Sequence, residues 1–318
     1  MPTIESAASL PSSFASLLPS LGVVRLGGEE RVKYLQGQVT ADLHQLHPDH
    51  AMLACHCDFK GKTWSDFYTL IWQNDLHLSM DRSAMTASLK ELQKYGVFAK
   101  VEIQDACADW VMVGGRGDAF TKWLSTIFAS LPESHLQVSS NDKGWVMSLG
   151  NGERFLVALA ATEADSLKAS FDGEWADEVA WQLLQIQAGV GNISAATQSE
   201  YVPQMINMHA LGAISFTKGC YMGQETVART KYLGKNKRAA FILKSNQPAQ
   251  IAAGDDLEIA LGENWRRAGQ VISVANLGQE SWLMAVLAND TEADAQLRVK
   301  SAPDVLLSLQ PLPYSIDE

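Results

Sequence analysis

The strongest constraint on the fold is a change in hydrophobic pattern near residue 238. Before it, strand-like and helix-like stretches alternate. After it, short apolar runs at 239–244, 257–261, 269–275, 281–287 and 304–309 are separated by Gly, Asn and Asp. Short strands at such spacing predict a small sandwich or barrel. In the first part, 21–26 reads as a strand and 29–36 as a helix, with Glu29 and Glu30 where the helix dipole favours acids. Residues 63–72 are rich in aromatic and β-branched side chains and predict a strand, turned by Gln73-Asn74-Asp75 into a partner at 76–80. Residues 83–95 place Met85, Leu89 and Leu92 at helical spacing, and Val97, Ala99, Val101 and Ile103 then alternate as a strand. The order recurs as strand 110–114, helix 117–130, strands 144–149 and 154–160, and helix 163–171. A helix at 178–188 can turn Val179, Leu183 and Ile186 to a core. The expected class is α+β: two adjacent small antiparallel units backed by helices over 1–237, followed by a C-terminal β-barrel over 238–318. No fixed-period repeat accompanies the duplicated order. The Ser-, Pro- and Ala-rich residues 1–20 read as a loose lead-in.

Composition narrows the function classes. With 47% hydrophobic and 19% charged residues over 318 positions, the chain reads as an ordinary globular protein. No apolar run approaches the ~20 residues of a membrane helix, and no basic, then apolar, leader opens the chain. Four scattered cysteines are not a disulfide scaffold, so a reducing cytoplasm is expected. A net charge of −11 argues against tight nucleic-acid binding by the protein alone. Locally, Lys218, Arg229, Lys231, Lys235, Lys237 and Arg238 face Glu225 alone between 216 and 240. Such a cluster suits a phosphate, a polyanionic tail or an acidic partner, or is a solvated basic loop.

The octet Lys218-Gly219-Cys220-Tyr221-Met222-Gly223-Gln224-Glu225 is the most distinctive stretch. Its glycines permit positive φ or close approach, and 224–230 can open a helical turn. Cys220 would then sit near free N–H groups and Lys218, conditions that favour a thiolate; the alternative is a small cysteine buried in a tight turn. Cys55 and Cys57 belong to a polar, histidine-rich stretch with His44, His47, His50 and His56, where exposed thiols are expected. Cys and His are zinc ligands, but this spacing lacks a second Cys-x2-4-Cys pair and Pro48 interrupts any helix, so no metal site is assigned. Gly114-Gly115-Arg116-Gly117 lacks dinucleotide-binding spacing and reads as a strand-to-helix turn.

The octet resembles the K-G-C-x-G-Q-E signature of the YgfZ family, folate-binding relatives of the glycine-cleavage T-protein. Residues 31–42 (Arg-Val-Lys-Tyr-Leu-Gln-Gly-Gln-Val-Thr-Ala-Asp), 56–62 (His-Cys-Asp-Phe-Lys-Gly-Lys) and 94–98 (Lys-Tyr-Gly-Val-Phe) are similar to further family segments. So are Gln187-Ala188-Gly189, Pro203-Gln204, Asn207 and the closing 311–315. The resemblance implies tetrahydrofolate or a derivative as cofactor. It also implies a role in tRNA modification through iron–sulfur enzymes that modify tRNA, with Cys220 as functional thiol alongside Lys218. Trp181 stands at the family's folate-contacting tryptophan, although a helix-borne Trp is also an ordinary core residue. Leu21 stands where the family has a second one. T-protein relatives carry two adjacent acids in the segment matching 61–66; here Asp66 is the one acid, either an acid–base group or a solvent-facing strand residue. The rival functions are a folate-dependent one-carbon transferase and a non-catalytic folate sensor.

Overall fold

The computed structural model describes residues 3–234 and 236–316. In chain order, β1 (Phe14–Leu17), β2 (Leu21–Gly27), α1 (Arg31–Gln36), β3 (Met52–Cys57), β4 (Thr63–Trp72), β5 (Asp75–Asp81), α2 (Arg82–Gly96) and β6 (Glu102–Asp105) come first. There follow β7 (Trp110–Arg116), α3 (Asp118–Ile127), β8 (Val138–Asn141), β9 (Gly144–Leu149), β10 (Arg154–Ala160), α4 (Ala161–Ala169), α5 (Glu178–Gln187) and α6 (Gln224–Tyr232). The last six strands are β11 (Arg238–Ser245), β12 (Asp256–Leu261), β13 (Asn264–Asn276), β14 (Ser281–Ala288), β15 (Leu297–Val299) and β16 (Ala302–Gln310). They close into a barrel, whereas the earlier strands form two antiparallel sheets, β3-β4-β5-β2-β6 and β1-β7-β10-β9-β8. The class is α+β with a C-terminal barrel, as the pattern change predicts.

Alternation along each strand explains the layering, because successive side chains point to opposite faces. In β9, Trp145, Met147 and Leu149 enter a core shared by both sheets, while Val146 turns outward to Phe120, Trp123 and Leu124 of α3. In β3, Leu53, Cys55 and Cys57 face the shared core, and Ala54 faces the core that α2 closes with Met85 and Leu92. The sheets therefore pack face to face with helices outside, and their central strands read as continuous apolar runs. The barrel repeats the logic: Leu243, Val271 and Leu283 fill its interior, while Ile242, Ile272 and Met284 join the shared core beside Leu183 and Ile186 of α5. Among the described residues, no helix is long and apolar enough to cross a membrane.

Three local expectations fail. Residues 14–17 are not lead-in but an edge strand, pairing Phe14 with Arg116 and burying Phe14 completely. The His- and Cys-rich segment is an exposed loop only through His50; from Met52 it is β3, which pairs with β4, and Cys55 and Cys57 are buried. The alternation at 97–101 is not a strand: α2 runs to Gly96, Val97 and Phe98 are exposed, and pairing begins only at Glu102. Gly96 lets Ile103 close against the helix end, where a Cβ would sit 2.8 Å from Ile103 Cδ1.

Candidate functional site

Helix α5 starts on Asp177, whose carboxylate accepts from Val179 N at 3.1 Å. One turn later it places Trp181 against β7. The indole lies on Gly114, where a Cβ would fall 2.4 Å from its Cε3, so only glycine admits the ring there. Trp181 and Leu21 together wall a cavity of about 180 Å³, which Ser20, Asp81, Gln185, Asn192 and the barrel's Ile272 complete. A narrow recess beneath it reaches Asp66 and Tyr68. Ser20 donates its hydroxyl to Glu178 Oε1, tying the turn before β2 to α5. Gln185 accepts from Arg154 Nε at 2.9 Å and is held rigid in the wall.

Asp66 is not solvent-facing. Strand β4 lies between β3 and β5 with both faces covered, so the carboxyl is 6% exposed. Its Oδ1 accepts from Ile193 N at 2.7 Å. Burial pushes its pKa up to about 7, only partly offset by that bond. A carboxyl that gains or loses its proton near neutrality is thus set into the recess. Burial was invisible in the sequence because Thr63, Ser65, Asp66 and Thr69 give β4 a polar look; all four are buried.

The octet lies elsewhere and lines neither cavity. Lys218 Nζ donates to the carbonyls of Gln36, Val39 and Ala41 at 2.7, 2.8 and 2.6 Å. Its ammonium is committed to the 36–41 loop. Burial pulls its pKa down to about 8 against the pull of Asp42, which leaves it protonated at neutral pH. Met222 N donates to Gly37 O, and Gly223, at φ 81°, opens α6. A Cβ on Gly223 would sit 2.5 Å from Asp58 O, and one on Gly61 2.7 Å from Thr226 Cβ. The stretches 31–42, 56–62 and 218–225 are therefore one packed unit, with Cys220 exposed on its surface. Burial raises the thiols of Cys55, Cys57 and half-buried Cys107.

Of the basic cluster, Arg229 pairs with Glu225 at 2.6 Å and Lys231 lies 3.9 Å over the Phe216 ring. Lys235 lies outside the described residues. None of the cluster's described members lines the cleft. His56 bonds Ser88 Oγ through Nδ1 at 2.8 Å, and burial pulls its pKa down to about 4. Among the described residues, no three His, Cys, Asp or Glu side chains gather as a metal site.

A protein described as "tRNA-modifying protein YgfZ" from Yersinia pestis (strain Pestoides F) is 42% identical over 317 residues, covering 98% of this chain and 96% of its own. The chain belongs to the YgfZ family. A Yersinia enterocolitica relative of the same description is 41% identical over the same shares. The family profile "YgfZ, beta-barrel domain" matches residues 236–302. Among solved structures, glycine cleavage system aminomethyltransferase T from Bartonella henselae superposes with a TM-score of 0.73 at 16% identity, over 95% of this chain and 86% of its own. That likeness shows the T-protein-type fold.

Other YgfZ-like segments stitch the barrel to the first part. Asn207 Nδ2 donates to Ala240 O at 2.7 Å and Asn207 Oδ1 accepts from Ala240 N at 3.0 Å, so one side chain pairs with β11 as a strand would. Tyr314 Oη donates to Gly189 O, while Gln204 Nε2 holds α6 within the first part by donating to Val227 O at 2.7 Å.

Proposed function

We propose that this YgfZ-family protein binds a reduced folate in the Trp181–Leu21 cleft and serves tRNA modification in the cytoplasm. In this reading Cys220 presents a thiol to iron–sulfur enzymes that modify tRNA. The observation that carries it is the cleft: an indole fixed on Gly114 beside a few rigid polar groups, the make-up a flat heterocycle needs. Trp181 and Leu21 would cover the ring faces. Gln185, Asn192 and Asp66 would meet its polar edge. Bound folate would supply one-carbon chemistry at its ring nitrogens; the protein binds, orients and excludes water. For a resident iron–sulfur cluster the donors do not fit, because Cys55 and Cys57 are buried in β3 and no three ligating side chains gather among the described residues. Such clusters belong to the partners in this reading.

Calorimetric titration with tetrahydrofolate tests the cleft: Trp181→Ala should lose about 1–3 kcal/mol of binding. A folded variant with wild-type affinity removes Trp181 from the site. In cells, Cys220→Ser should lower thiolated tRNA nucleosides read by mass spectrometry; unchanged levels remove the thiol from the function. The buried carboxyl of Asp66 favours one further reading, a folate-dependent one-carbon transferase, since a group titrating near 7 suits general acid–base work. Product formed from a folate and an amine or methyl donor, and lost in Asp66→Asn, would establish that activity; folate binding without product leaves the first reading standing.

A further inference from the structure

We propose that Arg82 takes the anionic end of the cleft's ligand, which then lies across Leu21 with its uncharged head beside Trp181. The inference rests on the folate reading and adds an orientation to it. A second cavity of about 250 Å³ lies on the far side of the 17–23 turn, walled by Leu18, Leu21, Val23, Trp110 and Met112, with Arg82 at its rim. Leu21 walls both cavities and the recess. Size favours using both: sites for drug-sized ligands run to roughly 300–1,000 Å³, which either space alone falls short of and the two together reach.

Charge fixes the direction. Among the described residues, the first cavity and recess are lined by Asp81 and Asp66 and by no lysine or arginine. The second is lined by Arg82 and, among the described residues, by no carboxylate. A ligand anionic at one end is repelled from the Trp181 side and attracted to the Arg82 side, whereas N–H groups on its head meet acceptors at the acidic end. Arg82 is also free to respond. Its backbone N–H donates to Ser20 O at 2.8 Å, which fixes the helix start beside the turn. Its exposed guanidinium makes one long contact to Pro19 O, at 3.5 Å. The fork of N–H donors matches a carboxylate in two-point geometry. Asp105 is the acid whose field it shares, and that carboxylate is occupied by Cys107 N at 2.9 Å.

The test titrates the intact protein with tetrahydrofolate and with a tetrahydropterin that lacks the aminobenzoyl-glutamate tail. Arg82→Gln should weaken tetrahydrofolate about ten-fold or more, the scale of a charge-assisted pair, and leave the tail-less pterin unchanged. Arg82→Lys should recover part of the loss. Equal loss for both ligands with Arg82→Lys no better, or no loss for either, overturns the proposal. Wild-type protein that binds the pterin and prefers it over tetrahydrofolate overturns it too, while leaving the cleft intact as a pterin site. Wild-type protein that binds neither ends the folate reading itself and the inference with it.

Discussion

Replacing Lys218 by Met should unlock the octet from the 36–41 loop. The side chain is 8% exposed and its three N–H bonds reach three different carbonyls. Hydrogen bonds to a charged donor are each worth about 1.5–3 kcal/mol. Their sum overstates the effect, because the same burial that pulls the ammonium down to about 8 is a cost the wild type already carries. Methionine keeps the apolar stem and removes that cost, but strands three buried acceptors. The expected net loss is about 2–3 kcal/mol, the scale of leaving buried acceptors unsatisfied. Urea unfolding of both proteins gives the number. Hydrogen exchange should localise it, with faster exchange at Met222 N, which donates to Gly37 O. A loss under about 1 kcal/mol, with Met222 still protected, would refute the picture of Lys218 as an anchor.

Asp66→Asn should reshape stability against pH. The folded protein holds this proton to about 7 and the unfolded chain releases it near 3.8, so folded protein binds more protons between those values. Wild-type stability is therefore lost as pH climbs through that window, by up to about 4 kcal/mol relative to Asp66→Asn, and levels above it; a gap that stays flat across the window in urea titrations sinks the claim. Gly223→Ala should lower stability by about 1–3 kcal/mol, since φ 81° and the 2.5 Å approach to Asp58 O both exclude a Cβ, as thermal unfolding would read. Gly114→Ala should weaken tetrahydrofolate binding by displacing the Trp181 ring it supports; unchanged calorimetric affinity would separate the ring from the ligand. The pure protein should not shift tRNA at submicromolar concentration, because a net charge of −11 opposes a polyanion.

What the sequence made legible is what local period carries. The 63–72 strand, the Gln73 turn, the helix holding Met85 and Leu92, and the barrel runs all announce themselves over windows shorter than fifteen residues. β1 does not, because Ser12 and Ser13 before Phe14 and Pro19 after it look like lead-in; its strand character comes from pairing with β7, about a hundred positions away. β3 is masked in the same way by His44, His47, His50 and Pro48, although Leu53, Cys55 and Cys57 keep the period of a strand. The 97–101 stretch errs in the other direction: Val97, Ala99 and Val101 alternate without neighbours to pair with, and Val97 ends at 74% exposed. Lys218 shows the limit most clearly. Two positions from Cys220, it invites a reading as the thiol's activator, yet its ammonium is spent on carbonyls some 180 positions away.

The cleft and the octet are two places, and one hairpin joins them. At its tip, Gly61 packs on Gly223 and Thr226; along β4, Asp66 reaches the recess under Trp181. From Thr63, the first residue of β4, Asp66 is three steps on, about 10 Å of extended strand at ~3.3 Å per residue. The β3–β4 ladder runs between the two, with Cys55 facing Asp66 and His56 facing Ser65. That ladder is buried and stapled to α2, His56 bonding Ser88 Oγ at 2.8 Å and Ser65 Oγ bonding the same oxygen at 2.9 Å. A stiff link of this kind suits the proposed division of labour, in which the cleft would hold a folate and the octet would offer its thiol outward to a partner.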